Sequence, residues 1–210
     1  GTVDDRRYLR RQLEGPLNRC AAALDRPIIT ADRITAAGLV LGLGSALAAG
    51  LQFWLLALAL WIVSRIADGL DGPVARRRVR AGGKSSGAGG FFDITADFVV
   101  YGTTVVGVAV GASAQFGAPW WPFLLVLLAY YINGTAFLAF SSIAERTGRT
   151  IDDGRSFSFL GGLAEGAETI AVHSLWLLLP GISWQIAVVW AAVVAVSSGQ
   201  RIIAGYRALS

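Results

Sequence analysis

Charge is scarce in this chain: Asp, Glu, Lys and Arg together make up 15% of its 210 residues, against about a quarter in soluble domains. There is one cysteine, Cys20, which excludes an intramolecular disulfide framework and a cysteine-based zinc site within one chain. The single histidine, His173, likewise excludes a histidine-rich metal centre. Any metal site must therefore be built mostly from oxygen ligands. Methionine is absent, and with Gly1 in first place this suggests a processed start preceded by a short leader. The opening "VDDRRYLRRQLEGPLNRC" is itself too polar to be the apolar region of a cleavable signal. What takes the place of charge is apolar surface: 54% of residues are hydrophobic and the mean hydropathy is +0.57. That composition points to a membrane.

A helix crossing the hydrocarbon needs about 20 mostly apolar residues. Six such runs are read, at 33–50, 52–75, 90–112, 120–144, 162–180 and 184–206. The expectation is an all-α integral membrane protein of six transmembrane helices, residues 33–210, preceded by a juxtamembrane segment, residues 1–32. Net charge is +4 and the pI is about 9.7, but the basic residues flank apolar runs and form no continuous patch, so no nucleic-acid partner is expected. Arginines crowd residues 6–33, 76–84 and 146–155 and recur at Arg201 and Arg207, while the three opposite connections hold no Lys or Arg. An even number of spans with every basic connection on one side predicts cytoplasmic amino and carboxyl termini. Trp54, Trp120, Trp121 and Trp184 fall near the other side, as an aromatic belt requires.

Residues 5–24 suit an interfacial amphipathic helix, with Tyr8, Leu9, Leu13 and Leu17 on an apolar side and Arg6, Arg7, Arg10 and Arg11 facing lipid phosphates. A solvated polar arm is the plainer alternative. Glycine and alanine abound in the spans, as in "AAGLVLGLGSALAAG", which suits close helix contacts or simply reflects genome composition.

The stretch 67–98 concentrates four aspartates at two helix ends. Asp68, Asp71, Gly72, Ala75 and Arg76 recur at helical intervals, so a continuing second helix places them on one side. Gly89, Asp93 and Asp97 recur every four residues and give the third helix a matching stripe. If the two helices are neighbours, four carboxylates converge at one membrane surface. They cannot all stay ionised without compensation. Arg65 and Arg76 can pair with two at most, which leaves divalent metal as the natural partner, and oxygen-only ligation suits Mg²⁺, Mn²⁺ or Ca²⁺. Two hard cations there would stabilise phosphate oxygens during an in-line displacement. Gly72 and Gly89 leave room for a ligand to approach the backbone, and Arg76 offers a planar fork matched to phosphate. A lone D-x-x-D at a helix end is usually capping or solvated charge; the whole set, with its glycines and arginine, is not.

Asp68-x-x-Asp71-Gly72-x-x-Ala75-Arg76, followed by Gly89-x-x-x-Asp93-x-x-x-Asp97, resembles the signature of the CDP-alcohol phosphatidyltransferases. The resemblance, with the six-span layout, extends over nearly the whole chain. It implies that Asp68, Asp71, Asp93 and Asp97 hold two divalent cations, Mg²⁺ or Mn²⁺, and that Asp97 deprotonates the acceptor hydroxyl. It implies too that Gly72, Ala75, Arg76 and Gly89 contact the CDP portion of the donor. "ADRIT" resembles the family element before the first span; Thr35 matches it and joins the donor-binding set, whereas Asp32 stands where asparagine is common and can equally be an N-cap. The interval from Arg76 to Gly89, residues 77–88, is longer than the family's. Its "RAGGKSSG" reads as a flexible cytoplasmic loop, or alternatively one that folds over the nucleotide and brings Lys84 to phosphate.

The activity so implied is transfer of a phosphatidyl group from CDP-diacylglycerol to the hydroxyl of a small polar alcohol, with release of CMP. The chain would then be a phosphotransferase for substituted phosphate groups in phospholipid biosynthesis. Homodimerisation is expected from the resemblance alone. Arginine and alanine richness leans to a bacterial inner membrane, with the site facing the cytoplasm. For the acceptor, Arg146, Arg149 and Arg155 suit a phosphorylated alcohol or serve topology alone. Glu165 and Glu168 suit an amine or polyol headgroup or satisfy helix-end donors, and "DDG" at 152–154 reads as a turn. "AEGAET" has no adjacent arginine, which leans away from inositol phosphate. Competing readings are transfer of a phospho-alcohol from a soluble CDP-alcohol to a lipid, a divalent-cation transporter, and a lipid-binding scaffold. Membrane-edge aspartates accompanied by Gly-x-x-Ala-Arg, without an inverted repeat, disfavour the transporter.

Overall fold

The computed structural model describes residues 15, 16, 18, 19, 30–80, 87–148 and 166–210, and for 71–80 the helical backbone only. Six helices lie in these segments: α1 (Ala31–Gly50), α2 (Trp54–Arg80), α3 (Gly87–Phe116), α4 (Trp121–Arg146), α5 (Gly166–Leu178) and α6 (Ser183–Leu209). A short 3₁₀ turn, Pro180–Ile182, joins the last two. Residues 15, 16, 18 and 19 are helical; the rest of the expected interfacial helix over 5–24 lies outside the described residues.

An integral membrane all-α protein is what these helices make. Among the described residues, α1, α3, α4 and α6 (with its preceding turn) are long and apolar enough to cross a membrane. The six-span expectation meets two obstacles. Arg65, Asp68 and Asp71 interrupt the apolar run of α2. The described part of α5 has 13 residues, about 20 Å of helix against a hydrocarbon core of about 30 Å. Of the interval 77–88, residues 77–80 continue α2 and Gly87 and Ala88 begin α3, while 81–86, the body of "RAGGKSSG", lie outside the described residues.

Helix α1 packs most extensively against α2 and α3, and α4 against α6, with α5 seated mainly on α2. Small residues make the first of these contacts possible. A Cβ on Gly107 or Gly111 of α3 would run into the carbonyls of Ala46 and Ala49, so glycine there lets two backbones approach. Side-chain hydroxyls add ties: Ser45 Oγ donates to the Ala57 carbonyl at 2.7 Å and Ser64 Oγ to the Gly38 carbonyl at 2.6 Å. Between close contact and mere composition, the glycines of α3 thus serve close contact.

The core between the helices holds Trp61, Val105, Val108, Phe123, Val126 and Trp176, all essentially inaccessible. Apolar side chains also cover the outside, among them Val40, Leu47, Leu55 and Val189. In water such a surface would be costly; against lipid tails it is matched. At the end of the bundle formed by residues 51–53, 117–120 and 179–182, Trp54 Nε1 donates to Gln115 Oε1 at 2.6 Å. Trp121 and Trp184 meet edge-on there, with ring centroids 6.5 Å apart. The aspartates lie toward the opposite end.

Candidate functional site

Two helix segments supply the acidic residues. Asp68 comes one turn after Arg65 on α2, and Asp93 and Asp97 lie one turn apart near the start of α3. One carboxylate oxygen from each of Asp68, Asp93 and Asp97 falls within 4.8 Å of the others. Asp71, Ala75 and Arg76 follow on the helical backbone of α2, in register with Asp68; their side chains lie outside the described part. Gly72 is on the same backbone.

Asp93 Oδ1 is buried without a hydrogen-bond partner. An anionic oxygen in that state is costly unless a proton or cation joins it. Together with an all-oxygen donor set, this fits a hard divalent ion.

Arg65 is the cation already at hand. It is 7% exposed, and its Nη1 lies 3.1 Å from Asp97 Oδ1 and 3.7 Å from Asp68 Oδ2. Nη2 donates to Ser64 Oγ at 3.0 Å. The guanidinium carbon sits 5.1 Å from the ring centroid of Trp61 and 5.0 Å from that of Tyr101. Arg65 thus compensates two carboxylates, as its position three residues before Asp68 allows.

Behind Arg65 stands a buried aromatic group around His173. The imidazole stacks on Trp61 at 5.0 Å and meets Tyr101 edge-on at 5.4 Å. Its Nε2 is 2.7 Å from the Tyr130 hydroxyl, which accepts from Trp190 Nε1 at 2.7 Å. Trp61 Nε1 donates to Ser174 Oγ at 3.2 Å. This group locks α2, α3, α4, α5 and α6 together beneath the carboxylates.

Asp97 also borders a cavity of about 430 Å³, lined mainly by α3 and α4 through Phe98, Tyr101, Tyr130, Tyr131, Asn133 and Phe137, with Thr169 of α5 and Arg201 of α6. Arg201 Nη1 donates to Asn133 Oδ1 at 2.9 Å. The walls are aromatic, and the polar groups are few.

Other expected site residues fall as follows. Gly89 is half-buried, and a Cβ there would come 3.3 Å from Asp32 Oδ1, so Asp32 reaches the start of α3. Asp32 is not the N-cap: Thr30 is, its hydroxyl accepting from the Arg33 amide at 3.1 Å, and Asp32 occupies the first turn. Threonine in extended backbone just ahead of the helix meets the orphan amide first. Thr35 is buried one turn further on. Arg146 ends α4 and Glu168 lies in the first turn of α5; both are exposed, and neither lines the cavity. Lys84, Arg149, Arg155, Glu165 and the "DDG" turn lie outside the described residues. Ser64, Tyr101, Asn133 and Arg201, which the motif does not contain, also lie beside Arg65 or line the cavity. For Arg201 the signal existed, an ionisable residue inside an apolar run.

Comparison with known proteins follows the same line. A family model described as CDP-alcohol phosphatidyltransferase matches residues 28–198. Inner membrane protein YnjF of Escherichia coli strain K12 is 34% identical over 208 residues, spanning 97% of this chain and 96% of that protein. Among solved structures, Mycobacterium tuberculosis phosphatidylinositol phosphate synthase (PgsA1) with CDP-DAG bound superposes with a TM-score of 0.70. That likeness covers 90% of this chain and 93% of the other at 19% identity, a likeness of fold.

Proposed function

The chain belongs to the CDP-alcohol phosphatidyltransferase family, and on that premise we propose that it moves a phosphatidyl group from CDP-diacylglycerol to the hydroxyl of a small polar alcohol, releasing CMP. The observation that carries this reading is the convergence of Asp68, Asp93 and Asp97 within 4.8 Å, beside a cavity that Asp97 borders.

In this reading Asp68, Asp71, Asp93 and Asp97 hold two divalent cations, Mg²⁺ or Mn²⁺, and the orphaned Oδ1 of Asp93 supports that assignment. Bound there, the cations would screen the anionic pyrophosphate and stabilise charge developing on departing CMP. The chain does the rest. Gly72, Ala75, Arg76, Gly89 and Thr35 seat the CDP portion, with glycine leaving room and the Arg76 fork meeting phosphate. The acceptor hydroxyl gives its proton to the Asp97 carboxylate and attacks the lipid-side phosphorus. A new P–O bond forms as the P–O bond to CMP breaks, and CMP leaves with that electron pair.

The acceptor enters on the Asp97 side, from the aromatic cavity or from the segment carrying Arg146, Arg155, Glu165 and Glu168. The solved neighbour is named a phosphatidylinositol phosphate synthase; here "AEGAET" carries no arginine beside Glu165 or Glu168, which leans away from inositol phosphate as the acceptor. We further propose six spans, with both termini and the site on the cytoplasmic face of a bacterial inner membrane, after a 1–32 juxtamembrane segment. The naming of the E. coli relative as an inner membrane protein and the tryptophans at the opposite end support this. A homodimer is proposed from family membership.

The test is CMP release from CDP-diacylglycerol by the protein in nanodiscs, with Mg²⁺ or Mn²⁺ and a panel of alcohols. Metal-dependent CMP release with one alcohol is expected. Release only when a soluble CDP-alcohol and a lipid acceptor are supplied would reverse donor and acceptor. Cation flux in proteoliposomes without any CMP release would overturn the reading in favour of a transporter.

A further inference from the structure

We propose that Arg65 is a positioning residue of this centre, a resident cation that holds Asp97 by one oxygen and restrains the acidic cluster's affinity for free divalent ions. The proposal rests on the transferase reading of the site. A guanidinium stays charged across the working pH range and presents its donors in a rigid plane. Here that plane is held at both terminal nitrogens and walled by two rings, while Nε has no hydrogen-bond partner among the described residues. Trp61 and Tyr101 wall it at 5.1 and 5.0 Å, Nη2 is tied to Ser64 Oγ at 3.0 Å, and Nη1 faces Asp97 Oδ1 at 3.1 Å and Asp68 Oδ2 at 3.7 Å. Ser64 is in turn anchored to the Gly38 carbonyl at 2.6 Å, so α1, α2 and α3 all fix the group.

Two consequences follow. With Oδ1 of Asp97 committed to Nη1, Oδ2 is the oxygen that takes the acceptor's proton, and the carboxylate cannot swing freely. A divalent ion must also share Asp68 and Asp97 with a positive charge already beside them, which weakens its binding until donor pyrophosphate adds negative charge. A purely structural arginine would act in the opposite sense, since its loss would disorder the ligands and weaken metal binding.

Opposite signs make the test sharp. In the full chain in nanodiscs, Mn²⁺ binding is measured by electron paramagnetic resonance without donor, alongside steady-state CMP release. Arg65→Gln is expected to bind Mn²⁺ about tenfold more tightly, because one unit charge is removed within contact distance of two ligands. Its kcat should fall at least about tenfold while KM for CDP-diacylglycerol stays within about threefold, the pattern of lost positioning. Arg65→Lys keeps the charge without the fork, so Mn²⁺ affinity should remain near wild type while kcat still falls. Unchanged or weaker Mn²⁺ binding in folded Arg65→Gln would overturn the proposal. Should Arg65→Gln fail to fold, a wild-type kcat or an altered Mn²⁺ affinity in Arg65→Lys would overturn it instead. Absence of CMP release by the wild type would sink the transferase reading, while the Mn²⁺ comparison still decides whether Arg65 restrains the cluster.

Discussion

Asp97 meets Arg65 at 3.1 Å and borders the 430 Å³ cavity, so the amide replacement separates its basicity from its shape. Asp97→Asn is expected to lower CMP release by a factor on the order of 10³ while the protein still binds CDP-diacylglycerol in a metal-dependent way. Asp68→Asn should weaken equilibrium donor binding and turnover together, because it is proposed as a metal ligand only. In Asp97→Asn, proposed as both ligand and base, the loss of turnover should far exceed any loss of donor binding. Measuring bound labelled donor beside CMP release distinguishes them; near-normal turnover in Asp97→Asn would remove it as the base. The aspartates were legible because helical spacing alone puts Asp93 and Asp97 one turn apart. Their companions were not. The grip of Trp61 and Tyr101 on Arg65 depends on which face of α2 meets α3, and no interval along the chain states that. For Asp32 the ambiguity is local: Thr30 and Asp32 are both capping types, and only backbone geometry shows which precedes the first turn.

The elements were legible in outline, since each apolar run became a helix; their ends were less so. Polarity marks where a helix leaves the membrane, not where it stops, so α2 runs on through the basic stretch to Arg80. The contact of α1 with α3 rests on Gly107 and Gly111 against the Ala46 and Ala49 carbonyls. Gly107→Leu should therefore destabilise the protein by about 3 kcal/mol or more through overpacking, read as a lower thermal midpoint in detergent. An unchanged midpoint would mean that α1 and α3 do not meet so closely. On the other side, Tyr130 of α4 joins His173 of α5 to Trp190 of α6 at 2.7 Å each. Tyr130→Phe leaves two buried polar atoms without that hydroxyl, a loss of roughly 1–3 kcal/mol in the same assay.

At the scale of the whole molecule, the question is how often the chain crosses the bilayer. Four helices qualify by length and composition among the described residues, while α2 carries charge and the described α5 is short. Packing argues for more crossings than hydropathy does. Arg65 and Asp68 of α2 face Asp97 of α3, so their charge is spent between helices and not on lipid. Helix α5 buries His173, Trp176 and Leu177 against its neighbours and turns apolar Leu175 and Leu178 outward, where lipid can meet them. Helices held this way tolerate polar residues that a free apolar span would not. Single cysteines placed in a Cys20→Ser background decide the matter. With six spans, Glu145→Cys, Gly166→Cys and Ser210→Cys react with a membrane-impermeant thiol reagent from the face that carries the aspartates. Gly181→Cys, in the turn between α5 and α6, reacts only from the opposite face. Labelling of positions 166 and 181 from the same side would remove α5 from the spans. In that case α6 alone would separate residue 181 from residue 210, and the termini would have to be assigned afresh from the helices that remain.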